Sequence, residues 1–137
     1  MNESALQYFH AYFNYKYFDN KLEPCVIKAK QDEDFCYDEG IEARTFTETV
    51  PFMIRFYNDV TNEDPVYLLQ ILLHEMIHQY CRENEIDDCD IDGVHLPAFK
   101  DIAAKHGLQS GYMITNAKKK EFKEVIAEYE QMYNIDL

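Results

Sequence analysis

Two histidines four residues apart, His74 and His78, enclose a glutamate, Glu75, that directly follows the first of them. If this H-E-x-x-H segment is helical, both histidines lie on one face of the helix, one turn apart. Their imidazoles can then bind one metal ion, and Zn²⁺ takes imidazole nitrogens at about 2.0–2.1 Å. The glutamate can accept a proton from a water molecule that the metal activates. The segment therefore predicts one catalytic Zn²⁺ with Glu75 as the general base.

A catalytic zinc site needs a third protein ligand and an open fourth position. His95 follows His78 by 17 residues, after a loop in which Asp92 and Gly93 form a plausible turn. The chain can therefore fold back onto the motif helix at this point. A carboxylate is the alternative ligand, supplied by Asp101 or by the acidic loop between the two histidines. We prefer His95, because imidazole suits zinc and its position fits such a return of the chain.

Four further residues bear on the chemistry of the predicted site. Tyr112 and Arg55 are the candidates for the second electrophile that stabilises a tetrahedral oxyanion. His106 precedes a helix-ending glycine and fits compensation of a helix dipole. His10 lies in the first predicted helix, and the sequence identifies no partner for it.

The elements that must position these residues follow from the period of the apolar positions. Helices are predicted over residues 4–18, 65–82, 96–106 and 116–133, strands over residues 25–30 and 50–57, and a weaker strand within residues 35–47. Asp64 can cap the motif helix and Pro65 suits its first position. Thr115 or Asn116 can cap the last helix, and residues 112–114 are either extended or a connector. This order predicts an α+β fold with a small, mainly antiparallel or mixed sheet packed with the motif helix and flanking helices.

Two segments near the predicted site keep more than one interpretation. The strand over residues 50–57 is either an edge strand that binds substrate backbone by strand addition or a core strand. Residues 83–92 form an acidic loop, whose spacing departs from that of calcium-binding loops. We interpret this loop as a solvated, mobile gate over the zinc cleft.

Composition limits the class of protein. The chain has 137 residues and a formal net charge of −13, which argues against a general binder of nucleic acids or anionic membranes. The length suits a single domain over residues 1–137. No secretory signal and no membrane-spanning run is visible, so a cytoplasmic protein is expected. The cysteines, which form no C-x-x-C pair, are expected to be reduced and mostly buried: Cys25, Cys36, Cys81 and Cys89.

Residues 72–80 followed by residues 95–100 resemble the SprT-like zinc metallopeptidases, in which a third histidine within an H-G-x-x-F type segment follows an H-E-x-x-H helix. Residues 17–22 are similar to the opening helix-to-strand region of that family. Phe99 matches the pattern, whereas Leu96 stands where glycine is usual. The resemblance implies a zincin-like fold with His74, His78 and His95 as zinc ligands, and Glu75 as the catalytic base.

The implied function is hydrolysis of peptide bonds in a protein or peptide substrate. The family includes proteases that act on proteins crosslinked to DNA, so DNA association is also implied, although the acidic charge does not support it. The family's zinc ribbon is absent from this sequence, and its only basic cluster is residues 118–120. The alternative function is a zinc-stabilised binding or regulatory module without catalysis. A nuclease on the same ligands is disfavoured, because the net charge would repel a polyanion.

Overall fold

The computed structural model describes residues 1–29, 42–57, 60–109 and 111–137. Within these ranges the chain is an α+β protein with four helices and five strands, as predicted for the fold class. Their order is α1 (Glu3–Phe18), β1 (Cys25–Lys28), β2 (Ala43–Phe46), β3 (Phe52–Phe56), α2 (Pro65–Glu83), α3 (Pro97–Lys105), β4 (Leu108–Gln109), β5 (Met113–Ile114) and α4 (Asn116–Tyr133).

The helix ends agree with the capping signals in the sequence. The Asp64 side chain accepts a hydrogen bond from the Val66 backbone N–H at 3.1 Å, and Pro65 is the first residue of α2. Thr115 is the cap of α4, since its hydroxyl accepts from the Lys118 backbone N–H at 3.1 Å. These contacts satisfy N–H groups that a helix start leaves without an intrahelical partner. Local chemistry therefore fixes where the motif helix begins.

Three of the strands form a mixed sheet in the order β1-β3-β2. β3 pairs in parallel with β1 and antiparallel with β2, so it is the middle strand of the described sheet. The edge-strand interpretation of residues 50–57 is therefore wrong, and the core-strand interpretation is confirmed. Its Ile54 and Phe56 are buried members of the hydrophobic core.

The two weaker strand predictions have different outcomes. β2 occupies the end of the segment 35–47, whereas residues 30–41, which include the predicted centre at Gly40, lie outside the described residues. The pair β4 and β5 forms a separate antiparallel ribbon, so the extended interpretation of residues 112–114 is confirmed at Met113–Ile114.

Helix α2 is the centre of the molecule and contacts α1, β2, α3 and α4. Its fully buried apolar residues include Leu69, Leu72, Leu73, Met76 and Ile77. Burial of each such side chain stabilises the fold by about 1.5–3 kcal/mol relative to exposure. These contacts on several sides fix the position of the helix that carries the two motif histidines.

His10 has a partner that the sequence did not identify. Its Nε2 donates to Gln79 Oε1 at 3.0 Å, and Gln79 Nε2 donates to the Glu23 carbonyl at 3.0 Å. Burial lowers the pKa of His10, which keeps the ring neutral. This network ties α1 to α2, so His10 has a structural role.

His106 follows α3 directly, and the next residue, Gly107, has a positive φ of 82° that suits a helix end. The His106 ring packs against Tyr17 and Phe18, with centroids 5.7 and 5.1 Å apart. Burial lowers its pKa, so the neutral ring contributes packing rather than a charge that offsets the helix dipole. The dipole interpretation of His106 is therefore replaced by an aromatic contact between α1 and α3.

The described cysteines are all free thiols, with Cys25 and Cys81 buried and Cys89 half-buried. Cys36 lies outside the described residues. None of the helices in the described ranges is both long and apolar enough to cross a bilayer.

Candidate metal centre

The structure brings the three predicted histidines together. His74 and His78 lie one turn apart on α2, both are buried, and their Nε2 atoms are 3.2 Å apart. His95 reaches them from the segment that precedes α3, with its ring centroid 4.9 Å from that of His74 and 5.0 Å from that of His78. One ring nitrogen from each histidine lies within 4.8 Å of the other two. This grouping is the geometry that a single metal ion would need.

The outer nitrogens of the two motif histidines have acceptors that define where the protons lie. His74 Nδ1 faces the Gly111 carbonyl at 2.5 Å, and His78 Nδ1 faces Asp88 Oδ2 at 2.7 Å. Burial alone would raise the pKa of Asp88, but hydrogen bonding with His78 and the Arg82 charge lower it, so the carboxylate is ionised. Because neither acceptor carries a proton, both Nδ1 atoms must donate. In the neutral rings, both Nε2 atoms are therefore unprotonated.

Two unprotonated nitrogens that face each other at 3.2 Å cannot form a hydrogen bond, and a cation between them satisfies both lone pairs. Tetrahedral zinc with nitrogen bonds of about 2.0–2.1 Å places its ligands about 3.3–3.4 Å apart. Burial lowers the pKa of His74 to about 3 and that of His78 to about 4, so both rings are neutral at pH 7. Neutral imidazole is the form that binds metal. The residues present therefore fit Zn²⁺.

The carboxylates considered as alternatives to His95 are not placed to be the third ligand. Asp101 is exposed on α3 and belongs to none of the groups of described residues that could share a metal ion. From the acidic loop, Asp88 and Cys89 form a second such group with His78. Asp88, however, accepts from the protonated Nδ1 of His78, which is the arrangement of a carboxylate that orients a metal-binding histidine from outside. His95 is the remaining third donor.

Glu75 lies in the same cleft as the histidines and is only 5% exposed. The Thr45 hydroxyl, on β2, donates to the Glu75 backbone carbonyl at 2.9 Å and lies 3.5 Å from its Oε1. Burial raises the pKa of the Glu75 carboxyl to about 8. A cation held by the histidines in the same cleft would favour the ionised carboxylate, which is the form that accepts a proton as a general base.

Phe99 and Gly111 support the histidine rings. Phe99 is fully buried, and its ring stacks on His78 and His95 with centroid distances of 4.2 and 4.4 Å. Gly111 has a φ of 84°, and a Cβ at this position would lie 3.2 Å from the Phe99 ring. A side chain here would therefore be strained, and it would crowd the ring that packs on the histidines.

The cleft has a volume of about 500 Å³ and lies between β2, the motif face of α2 and the acidic loop. Tyr112 lines it, with a ring that stacks on His74 at a centroid distance of 4.1 Å. Arg55 is not among the lining residues. Of the two candidate electrophiles, only Tyr112 therefore lies at the cleft. The acidic loop contributes Asp92 and Gly93 to the rim, and its role as a mobile gate stays a prediction.

Sequence reasoning missed four residues that surround the cluster: Thr45, Arg82, Asp88 and Gly111. Asp88 was one of six carboxylates in the acidic loop, and no local pattern distinguishes it from the others. The sequence marks Arg82 only as the approximate end of the motif helix. The Thr45–Arg82 and Gly111–His74 contacts join segments 37 positions apart, and the Asp88 contacts depend on how the loop after α2 folds back, so spacing alone encodes neither.

Comparison of the chain with protein-family models, with curated proteins and with solved structures finds no match. The geometry of the cleft is therefore the basis for assigning a function.

Proposed function

We propose that this protein is a zinc-dependent peptidase with a zincin-like fold, similar to the SprT-like metallopeptidases. In this proposal His74, His78 and His95 hold one catalytic Zn²⁺, and Glu75 is the general base. The observation that carries the proposal is the pair of facing Nε2 atoms 3.2 Å apart, with His95 beside them and Glu75 in the same cleft.

The residues of the cleft have different roles in the proposed hydrolysis. When bound, Zn²⁺ polarises the substrate carbonyl and lowers the pKa of a water molecule to about 7. Glu75 takes the proton of the attacking water and passes it to the leaving amine. Tyr112 is the candidate donor to the developing oxyanion, since it lies at the cleft and its side chain is half-exposed. Asp88 and the Gly111 carbonyl keep the two motif rings in the tautomer that presents Nε2.

The substrate in this proposal is a protein or peptide in extended form. β2 has a single partner strand within the described sheet, and all four of its residues line the cleft. We infer that an extended substrate backbone lies along β2 beside Glu75. The net charge of −13 does not favour DNA as a partner, so the proposal does not include DNA.

The test is cleavage of denatured casein by the zinc-loaded protein, followed by gel electrophoresis and by release of acid-soluble peptides. We expect cleavage that stops on chelation and returns when zinc is added back. A protein that binds one zinc, loses thermal stability on chelation and leaves casein intact would instead support the zinc-stabilised binding or regulatory module.

A further inference from the structure

We propose that Arg82 is a positioning residue that couples the His78 side of the cleft to strand β2 and to Glu75. The catalytic meaning of this inference rests on the proposed function, whereas the coupling itself is a property of the fold. Arg82 lies in the last turn of α2, and its side chain is 34% exposed. It reaches two acceptors on two different segments of the chain.

The first contact supports a histidine. Arg82 Nε donates to Asp88 Oδ2 at 3.1 Å, and the same oxygen accepts from His78 Nδ1 at 2.7 Å. The Asp88 side chain is only 15% exposed, so the guanidinium supplies its charge partner in a partly dehydrated setting. Arg82 therefore holds the Asp88 carboxylate in place, and this carboxylate sets the tautomer and orientation of His78.

The backbone around Asp88 extends this support to His95. The Asp88 carbonyl accepts from the Leu96 N–H at 2.8 Å, and Cys89 forms an antiparallel bridge with His95. The segment that delivers the third histidine is thus paired with the segment that Arg82 holds. A shift of Asp88 would be expected to disturb both His78 and His95.

The second contact reaches strand β2. Arg82 Nη1 donates to the Thr45 carbonyl at 2.6 Å, and the Thr45 hydroxyl donates to the Glu75 carbonyl at 2.9 Å. Glu75 and Arg82 are seven residues apart, hence two turns apart on one side of α2. Thr45 therefore fastens β2 to the motif helix at two points, one of them beside the proposed base. This contact would set the distance between a bound substrate strand and the cluster.

Only arginine has the geometry for both contacts. Its planar guanidinium presents donors in several directions, whereas lysine carries one compact ammonium on a flexible stem. Arg82→Lys is therefore expected to keep the positive charge and to retain at most one of the two contacts.

The coupling is tested by a double-mutant cycle with Arg82→Ala and Asp88→Ala, read out as zinc affinity by competition with a chromogenic chelator. Arg82→Ala alone should weaken zinc binding about 10- to 100-fold, the usual range for an outer partner of a metal ligand. When Asp88→Ala is already present, adding Arg82→Ala should change the zinc affinity less than twofold, because the carboxylate that joins Arg82 to His78 is already missing. The absorption spectrum of the cobalt-substituted protein should change in parallel.

The second readout is hydrogen exchange of residues 42–49 in the metal-free protein. Exchange should be faster in Arg82→Ala, partly restored in Arg82→Lys, and unchanged in Asp88→Ala, since Asp88 does not touch β2 in this network. The matched control is Lys100→Ala, which removes an exposed positive charge near His95 without removing either Arg82 contact. Circular dichroism checks that each variant is folded.

Equal effects of Arg82→Ala on zinc affinity in both backgrounds would overturn the coupling, and so would an effect no larger than that of Lys100→Ala. Unchanged exchange in residues 42–49 would overturn the link to β2. Neither readout uses peptide hydrolysis, so an inactive but zinc-binding protein would contradict the proposed function alone. If the parent protein bound no zinc, the exchange experiment would still decide the role of Arg82 in the fold.

Discussion

Glu75→Gln is expected to bind zinc like the parent protein and to cleave casein about 10²–10⁴-fold more slowly, the usual contribution of a positioned general base. Glutamine matches the shape of glutamate but cannot take the proton of the attacking water. The hydrogen bond from the Thr45 hydroxyl to the Glu75 backbone carbonyl does not depend on the side chain, so the local fold should persist. The measurement is the initial rate of cleavage at equal zinc occupancy.

The matched control is Glu48→Gln, which removes the same charge from an exposed position at the rim of the cleft. Its cleavage rate should stay within a few-fold of the parent rate, because Glu48 has no role in the proposed proton transfer. If Glu75→Gln cleaved at the parent rate, Glu75 would not be the base. If both variants lost activity equally, the loss would reflect the negative charge of the cleft and not a specific role of Glu75 as the base.

Zinc should stabilise the fold strongly, which is the second large effect. A ligand that binds only the folded state adds about 4 kcal/mol when its free concentration is 1,000 times Kd. For a chain of this size, that amount raises the melting temperature by roughly 10 °C or more. In this structure His74 and His78 come from α2 and His95 from another segment, so the ion would link two parts of the fold. The measurement is a thermal melt before and after chelation.

His74→Ala should abolish most of this zinc response, because it removes one of the two facing nitrogens. His106→Ala is the control, since that histidine packs against α1 outside the cleft and should leave the response unchanged. A melting temperature of the parent protein that does not depend on zinc would contradict the stabilisation. A His74→Ala variant with a full zinc response would contradict the ligand assignment.

The sequence predicted what depends on local chemistry. The cap at Asp64 and the proline at the first helical position predict where α2 begins. The apolar period predicts its end within one residue of the observed end at Glu83. The i, i+4 spacing then placed His74 and His78 on one face. His95 was selected by its residue type and by the turn before it, and the structure places it beside the other two.

The sequence did not predict what depends on long-range pairing. β3 has apolar residues on both faces, a pattern shared by edge and middle strands, and only its pairing with β1 and β2 identifies it as the middle strand. The carbonyl of Gly111 reaches His74 across 37 positions of the chain. Arg82 likewise joins two segments that are distant in sequence. Such contacts need the three-dimensional arrangement of the chain, because no periodicity specifies them.

The central claim is that three histidines bind one zinc ion, and metal analysis of the purified protein tests it most directly. Elemental analysis should be run on the parent protein, on His95→Ala and on Asp101→Ala, each dialysed against the same trace of zinc. We predict one zinc per chain in the parent protein and in Asp101→Ala, and little or none in His95→Ala. A parent protein without bound metal, or a His95→Ala variant that keeps its zinc with undiminished affinity, would contradict it.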